Sequence, residues 1–240
     1  MFLITVVTIF PEMFPGPLMY GIAGKRLRKL WDIKTINIRD FARDKHRKVD
    51  DTTYGGGPGM VMRPDVVHDA MTAALAHYEK KPKILFMTPR GEVFSNKVAS
   101  RLTDGNEDGL IILCGRYEGV DQRVIDHWKS THGMDEISIG DYILFGGEIP
   151  AIVVIDSCIR LIPDMINNAL SVVNESFSLD LLEHSQYTKP AVWNGAPVPE
   201  VLLSGDHGMI DRWRTECAER MTKAARPDLW ERYAKQDNER

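Results

Sequence analysis

Three apolar runs in the middle of this chain each stop at a loop rich in glycine or proline. KILFMT, residues 83–88, is followed by Pro89, Arg90 and Gly91. GLIILC, residues 109–114, runs into GRYEG, residues 115–119. EISIGDYIL, residues 136–144, runs into FGGE, residues 145–148. Glycine lets a ligand lie close to the backbone and supplies left-handed conformations. A single loop of this kind is usually a turn. Three at successive strand ends predict a small-molecule pocket, because ligands of open α/β sheets sit outside the carboxyl ends of the strands. GxGxxG and GxxxxGK[ST] are both missing, which counts against a nicotinamide enzyme and a P-loop nucleotide enzyme. A fourth glycine run, YGGGPGM at 54–60, is either a mobile loop or one that folds around a substrate.

Charge points to a second chemistry. The chain sums to −4, too acidic to hold nucleic acid by bulk charge. Residues 21–50, however, carry ten Lys/Arg against four acids, a local charge of +6. Nucleic-acid binding would have to use this segment, with at least half of its cations merely solvated. The three cysteines, Cys114, Cys158 and Cys217, are widely spaced and form no CxxC pair. That argues against a disulfide framework and a zinc site, and fits a reducing compartment.

The elements that must position these loops follow from periodicity. At 240 residues the chain holds one or two domains of about 150. Its 43% hydrophobic and 27% charged residues exclude a disordered or fibrous chain. FLITVVTI, residues 2–9, reads as a buried parallel strand. Its apolar run has no leading basic residue and ends at Pro11, too short to span a bilayer, so a soluble cytoplasmic protein is expected. A basic helix is predicted at 18–30, a strand at 33–38, a long loop at 39–63 and a helix at 64–78. Further helices are predicted at 95–102, 120–129 and 148–162. Strands alternating with helices make an α/β fold with a mainly parallel sheet. After residue 163 the composition turns polar. The predicted organisation is a domain over 1–162, a flexible linker over 163–185, and a small helical domain over 186–240 with helices at 207–223 and 227–236.

LCGRYEGVDQR at 113–123 resembles the signature of bacterial tRNA (guanine-N1)-methyltransferases, the TrmD family of the SPOUT methyltransferases. SIGDY at 138–142, YGGGPGM at 54–60 and LSGDH at 203–207 resemble it too, as do IFPEMF at 9–14 and DKHRKVD at 44–50. The motifs occur in the family's order from residue 1 to about 230.

The resemblance implies a parallel-sheet domain tied in a deep trefoil knot, S-adenosylmethionine held bent in that knot, and a homodimer with composite sites. The implied reaction is methyl transfer to N1 of guanosine 37 of tRNA, with no DNA or membrane partner. The implied cofactor-binding positions are Phe86, Met87, Thr88, Pro89, Gly115, Tyr117, Glu118, Gly119, Ile139, Gly140, Tyr142, Leu144, Gly146, Gly147 and Pro150. Glu118 would face the sulfonium or amino group; otherwise it is a surface carboxylate on a turn. Methylating N1 means removing a proton from a neutral base, so a carboxylate base and a cation near O6 lower the barrier. The family's Arg maps to Arg160, and its Asp maps to Glu175, a longer acid that keeps the charge. His46, Arg47, Asp50 and Gly59 would surround the extruded guanine. Ser204, His207 and Arg214 match the LSGxHxxIxxWR pattern of the C-terminal tRNA-binding part, where Trp213 reads as core. No metal ligand is implied, and Mg2+ assistance is left open.

This chain departs from the family at several points. Phe145 stands where Ser is usual, Asp180 where Gly is expected, and Ser185 and Lys189 replace Pro and Arg. Residues 129–134 look like a short insertion. Two other readings remain at this level: a knotted enzyme acting on a ribose hydroxyl or another base, and an RNA-binding module without catalysis.

Overall fold

The computed structural model describes residues 1–105, 109–166, 176, 177 and 180–238. The chain divides into two compact units, Met1–Asn167 and Asn168–Arg240.

In chain order the first unit contains β1 (Phe2–Thr8), α1 (Gly21–Arg26), β2 (Trp31–Asn37), β3 (Asp50–Thr52), β4 (Met60–Met62) and α2 (Pro64–Leu75). β5 (Lys83–Val93), α3 (Asn96–Leu102), β6 (Gly109–Cys114), α4 (Gln122–His132), β7 (Asp135–Ser138) and α5 (Glu148–Arg160) follow. Five strands form one parallel sheet in the order β2-β1-β6-β5-β7. All six residues of β6, in the middle, are buried, which is why its sequence shows no alternation.

Side chains that alternate along the strands feed two cores. Ile4, Val6, Leu85, Leu110 and Ile112 pack with Val98, Ala99 and Leu102 of α3 and Ala151, Val154, Ile155 and Cys158 of α5. Val7, Ile84, Phe86, Ile111 and Leu113 pack with Val67, Ala70 and Met71 of α2 and Val124, Ile125 and Trp128 of α4. The sheet is thus covered on both faces by helices, the arrangement expected from its β-α alternation.

Four local expectations are corrected. The basic stretch 18–30 is not one helix: α1 covers only Gly21–Arg26, after the short 3-10 turns Pro11–Met13 and Gly16–Met19. Tyr20 is extended at φ −108°, ψ 166°, which separates the second turn from α1, and Leu27 returns to non-helical backbone at φ −56°, ψ 137°, which ends it. The stretch 39–63 is not all loop. It holds a 3-10 turn at Ile38–Phe41 and the antiparallel hairpin β3–β4, anchored by the fully buried Val49 and Met62. The strand begun at 83 does not stop at 88 but continues to Val93 through a bulge, its pairing with β7 shifting between Met87 and Glu92. Pro89 is tolerated because the bulge leaves its position unpaired. The third strand is shorter than 136–144: regular pairing ends at Ser138, whose hydroxyl accepts a bond from Gly140 N at 3.2 Å, and Gly140 turns at φ 141°.

α4 runs on to His132, past the expected end at 129, and Gly133 caps it at φ 69°. Ser95 caps α3 by accepting from Val98 N at 3.3 Å.

The second unit contains the hairpin β8 (Val192–Trp193) and β9 (Ala196–Pro197), then α6 (His207–Ala225) and α7 (Pro227–Asn238). Asn194 and Gly195 turn the hairpin at φ 49° and 79°, as a tight primed turn requires. Asp206 caps α6 by accepting from Met209 N at 3.0 Å. Cys217, Ala218 and Thr222 are buried on α6, and Leu229 on α7. Thr222 donates to Ala218 O at 2.7 Å and accepts from Leu182 N at 2.8 Å, so its buried hydroxyl is satisfied. Among the described residues no helix is long and apolar enough to cross a membrane.

Candidate functional site

A cavity of about 570 Å³ opens at the carboxyl ends of β5, β6 and β7, beside the start of α5. Its volume falls in the range of roughly 300–1,000 Å³ usual for small-molecule sites. The structure brings all fifteen candidate cofactor positions together there. Phe86, Met87, Thr88 and Pro89 come from β5 and its bulge, and Gly115, Tyr117, Glu118 and Gly119 from the loop after β6. Ile139, Gly140, Tyr142, Leu144, Gly146, Gly147 and Pro150 come from the segment after β7 and the first turn of α5.

The walls are close-fitted. Gly147 N donates to Gly115 O at 2.9 Å, and Arg116 bridges to Gly146. A Cβ on Gly147 would stand 2.8 Å from Cys114 Cα, a backbone atom, so that position requires glycine, and one on Gly115 would press on the Phe86 ring at 3.2 Å. Tyr142 donates its hydroxyl to Ile139 O at 3.0 Å, which fixes that turn. Tyr117 sits in the left-handed region at φ 57°, a strained conformation for a bulky residue. The lining is apolar inside, from Phe86, Met87, Leu144 and Pro150, with the Glu118 carboxylate on the loop after β6. That lining suits a flat heteroaromatic ring carrying a cationic tail.

Two residues central to this geometry were not among the sequence candidates. Arg116 lines the cavity, and Glu148, behind it, is fully buried. Arg116 Nε donates to Glu148 Oε2 at 2.7 Å, and Thr8 Oγ1 donates to Glu148 Oε1 at 2.7 Å. A signal did exist. A glutamate directly after Gly-Gly heads the apolar run IPAIVVI, so it starts a helix that packs on the sheet, where a buried carboxylate would need partners. Arg90, Gln122, Ile143 and Phe145 also line the cavity and were not singled out as ligands.

Beside it, Cys114 is fully buried. Burial first, then the nearby Glu148 charge, push its thiol well above the usual range, against a smaller pull from Arg116. It is therefore no nucleophile.

The candidate guanine-side residues lie on the segment leading into and around the β3–β4 hairpin. Asp44 organises the turn before it, its carboxylate accepting from His46 N at 2.9 Å and Lys48 N at 3.0 Å. Burial alone would raise the Asp44 carboxyl, but these backbone bonds and Arg63 hold it below the usual range. His46 is exposed, and Arg47 adopts φ 50° and pairs with Asp40 at 3.2 Å. Asp50 opens β3 opposite Met62. The hairpin touches the cavity loop through Met62 N to Gly119 O at 2.9 Å and Glu118 N to Met60 O at 3.0 Å. Gly59 is packed on Glu118, whereas His46, Arg47 and Asp50 do not line the cavity.

Arg160 is the last residue of α5, exposed, and α5 has 13 residues. At 1.5 Å per residue it stands about 18 Å along the helix from Glu148. Within one chain it is not brought to the cavity. Glu175 lies outside the described residues.

In the second unit Ser204 caps a turn, donating to Val201 O at 2.7 Å, and His207 opens α6. Arg214 pairs with Asp211 at 3.3 Å. Trp213 is half-buried and meets the rings of His184 and Tyr187 at 6.2 and 6.1 Å. Among the described residues no three His, Cys, Asp or Glu side chains are grouped to hold a metal ion.

The model of the family described as "tRNA (Guanine-1)-methyltransferase TrmD" matches residues 2–232 of the chain. The chain is 51% identical over 232 residues to the tRNA (guanine-N(1)-)-methyltransferase of Brucella ovis, covering 96% of this chain and 92% of that protein. The proteins of the same name from Brucella melitensis and Brucella suis are also 51% identical over 232 residues, 96% of this chain and 92% and 91% of theirs. A match that spans both units and every loop of the cavity identifies the chain as a member of the tRNA (guanine-1)-methyltransferase family, TrmD.

Proposed function

We propose that this protein transfers a methyl group from S-adenosylmethionine to N1 of guanosine 37 of tRNA. The observation that carries the reading is the convergence of all fifteen candidate cofactor positions on one cavity at the strand ends, in a chain that matches the family from residue 2 to residue 232.

The cavity fits the cofactor in chemistry as well as size. Phe86, Met87, Leu144 and Pro150 would enclose the adenine, and backbone groups of the 139–147 segment would bond its edge. Glu118 would face the cationic end. Bound there, S-adenosylmethionine supplies an electrophilic methyl group. The chain's own residues do the rest. Glu175 takes the N1 proton from guanine, and Arg160 stabilises the negative charge that gathers on O6. His46, Arg47, Asp50 and Gly59 hold the extruded base, with the Asp50 carboxylate accepting from its amino group. The basic segment 21–50 and Ser204, His207 and Arg214 hold the tRNA backbone.

The reading includes a trefoil knot formed as the segment after β7 passes the loop after β6. The bond between Gly147 N and Gly115 O supports it, as does the position of β6 between β1 and β5. It also includes a homodimer. Ile149, Val153, Asp156 and Arg160 share one exposed stripe of α5, apolar at the cavity end, and Arg160 lies a whole helix from its own chain's cavity. A second copy seated on that stripe would bring the arginine to a cavity. In this organisation residues 1–162 hold the cofactor, 163–185 carry the base and 186–240 grip the tRNA.

The test is methyl transfer from labelled S-adenosylmethionine to an unmodified tRNA transcript carrying guanosine 37, with an adenosine-37 transcript as control. The expected product is 1-methylguanosine in the first alone. Cofactor binding without transfer to either transcript would refute the substrate assignment.

A further inference from the structure

Glu148 has no exposed surface, yet it does not line the cavity. Its two oxygens are both used, one by Thr8 Oγ1 and one by Arg116 Nε, each at 2.7 Å. Thr8 is fully buried as well, and it ends β1. Arg116 also donates from Nη1 to Phe145 O at 3.3 Å and from Nη2 to Met13 Sδ at 3.6 Å. Its guanidinium lies 4.5 Å from the centroid of the Phe10 ring. Four segments therefore meet at one ion pair: the end of β1 with the turn after it, the loop after β6, the loop after β7, and the start of α5.

Such a pair is a poor device for stability alone. Desolvating two charges offsets most of their attraction, and apolar replacements are often neutral or better. What it does supply is directional geometry. Arg116 precedes Tyr117, held at φ 57°, and Glu118, both on one cavity wall. Phe145 and Gly146 belong to a second wall, which Gly146 bridges to Arg116, and Glu148 begins the helix that carries Pro150. The carboxylate also sits in the first turn of α5, where the helix N-terminus favours a negative charge.

We infer that Glu148 is a positioning residue of the cofactor site: through Arg116 it sets the separation of the two cavity walls without touching the ligand. The identity of that ligand rests on the methyltransferase reading above.

The test uses the full-length protein and four variants: Glu148→Gln, Glu148→Asp, Thr8→Val and Thr8→Ser. S-adenosylmethionine affinity is measured by calorimetry at low temperature, where each variant's folding is checked by circular dichroism, and steady-state kinetics are measured with tRNA. In Glu148→Gln one amide oxygen can still accept from Arg116, but the charge is lost and the amide NH2 donates where the carboxylate accepted from Thr8; cofactor affinity is expected to weaken about tenfold or more. KM for the cofactor should rise in step, while kcat at saturating cofactor stays within about threefold of wild type, since the ligand then holds the walls itself. Thr8→Val should show a smaller loss of the same kind, and Thr8→Ser should restore it. A merely structural role would lower the melting temperature and leave the affinity of the folded protein unchanged. That result in Glu148→Gln overturns the inference, as does a fall in kcat with unchanged affinity. If both Glu148 variants fail to fold, Thr8→Val decides: wild-type affinity there overturns the inference. Wild-type protein that binds no S-adenosylmethionine would refute the cofactor reading, a separate outcome.

Discussion

Gly59 and Glu118 are in contact: a Cβ on Gly59 would stand 2.5 Å from Glu118 Oε1. The glycine run of the β3–β4 hairpin and the loop after β6 are thereby fitted to each other, 59 residues apart in sequence. The contact joins the candidate guanine side of the site to the candidate cofactor side.

It follows that Gly59→Ala disturbs both sides. Gly59 has φ 90°, so alanine also meets backbone strain of about 1–2 kcal/mol. Gly55 is the control, because it has φ 89° but nothing within 4 Å of its Cβ position. Gly55→Ala reports strain alone. Gly59→Ala is expected to lose at least about tenfold more in kcat/KM for tRNA than Gly55→Ala, and to weaken cofactor binding as well. Equal effects of the two substitutions would show that the Glu118 contact is unimportant.

The proposed roles of Glu175 and Arg160 both predict a loss in the methyl-transfer step itself. Glu175→Gln should lower single-turnover methylation by about a hundredfold or more, the usual worth of a general base, and leave cofactor affinity unchanged. Glu175→Asp should recover most of the rate. Arg160→Ala should be slowed comparably at saturating cofactor and tRNA, because in the proposed role the arginine acts on charge that develops only during transfer. Full turnover by Glu175→Gln would remove it as the base.

The buried thiols should be inert. Burial pushes the Cys158 thiol up to about 12 and raises Cys114 well above its usual range. At pH 8 the thiolate fraction of Cys158 is then about one in ten thousand. Iodoacetamide at pH 8 should label neither residue in the native protein and both after denaturation, read by mass spectrometry. Fast native labelling of Cys114 would contradict the packing around it.

Asp121 predicts an acid limb of stability. It caps α4 by accepting from Arg123 N at 2.9 Å and pairs with the Arg123 side chain at 2.8 Å. The Arg123 side-chain bond, against the push of burial, holds its carboxyl below the usual range. A depressed folded value means that this contribution is present above the unfolded value of about 3.9 and is lost as pH falls through the folded one. Asp121→Asn keeps the cap but not the charge. In urea titrations it should be less stable than wild type at pH 7 by under about 1 kcal/mol, with the gap closing toward pH 2. A gap that is constant with pH would assign the effect to packing.

Much of the frame was legible in the sequence because its causes are local. The apolar runs at 2–9 and 109–114, separated by helical periods, specify covered parallel strands whatever the rest of the chain does. The glycine loops at three strand ends specify where a ligand can approach. Boundaries were less legible. The strand beginning at Lys83 runs on through Pro89 because β7 offers it a shifted register, and 138–147 turns away because Ser138 bonds Gly140. Neither partner is visible from the run itself.

The sequence by itself determined the alternating α/β pattern, the three strand-end loops that form the cavity and most of the residues on its walls. Only the tertiary structure decided that Thr8 and Glu148, 140 residues apart, share a hydrogen bond beneath the cavity, and that Arg116 is their common clamp with Phe145. It also set Arg160 at the far end of α5 from the loops it is proposed to serve. The physical reason is range. Propensity and periodicity act over one or two turns of chain, whereas a buried charge is fixed by whichever distant donors the fold delivers to it.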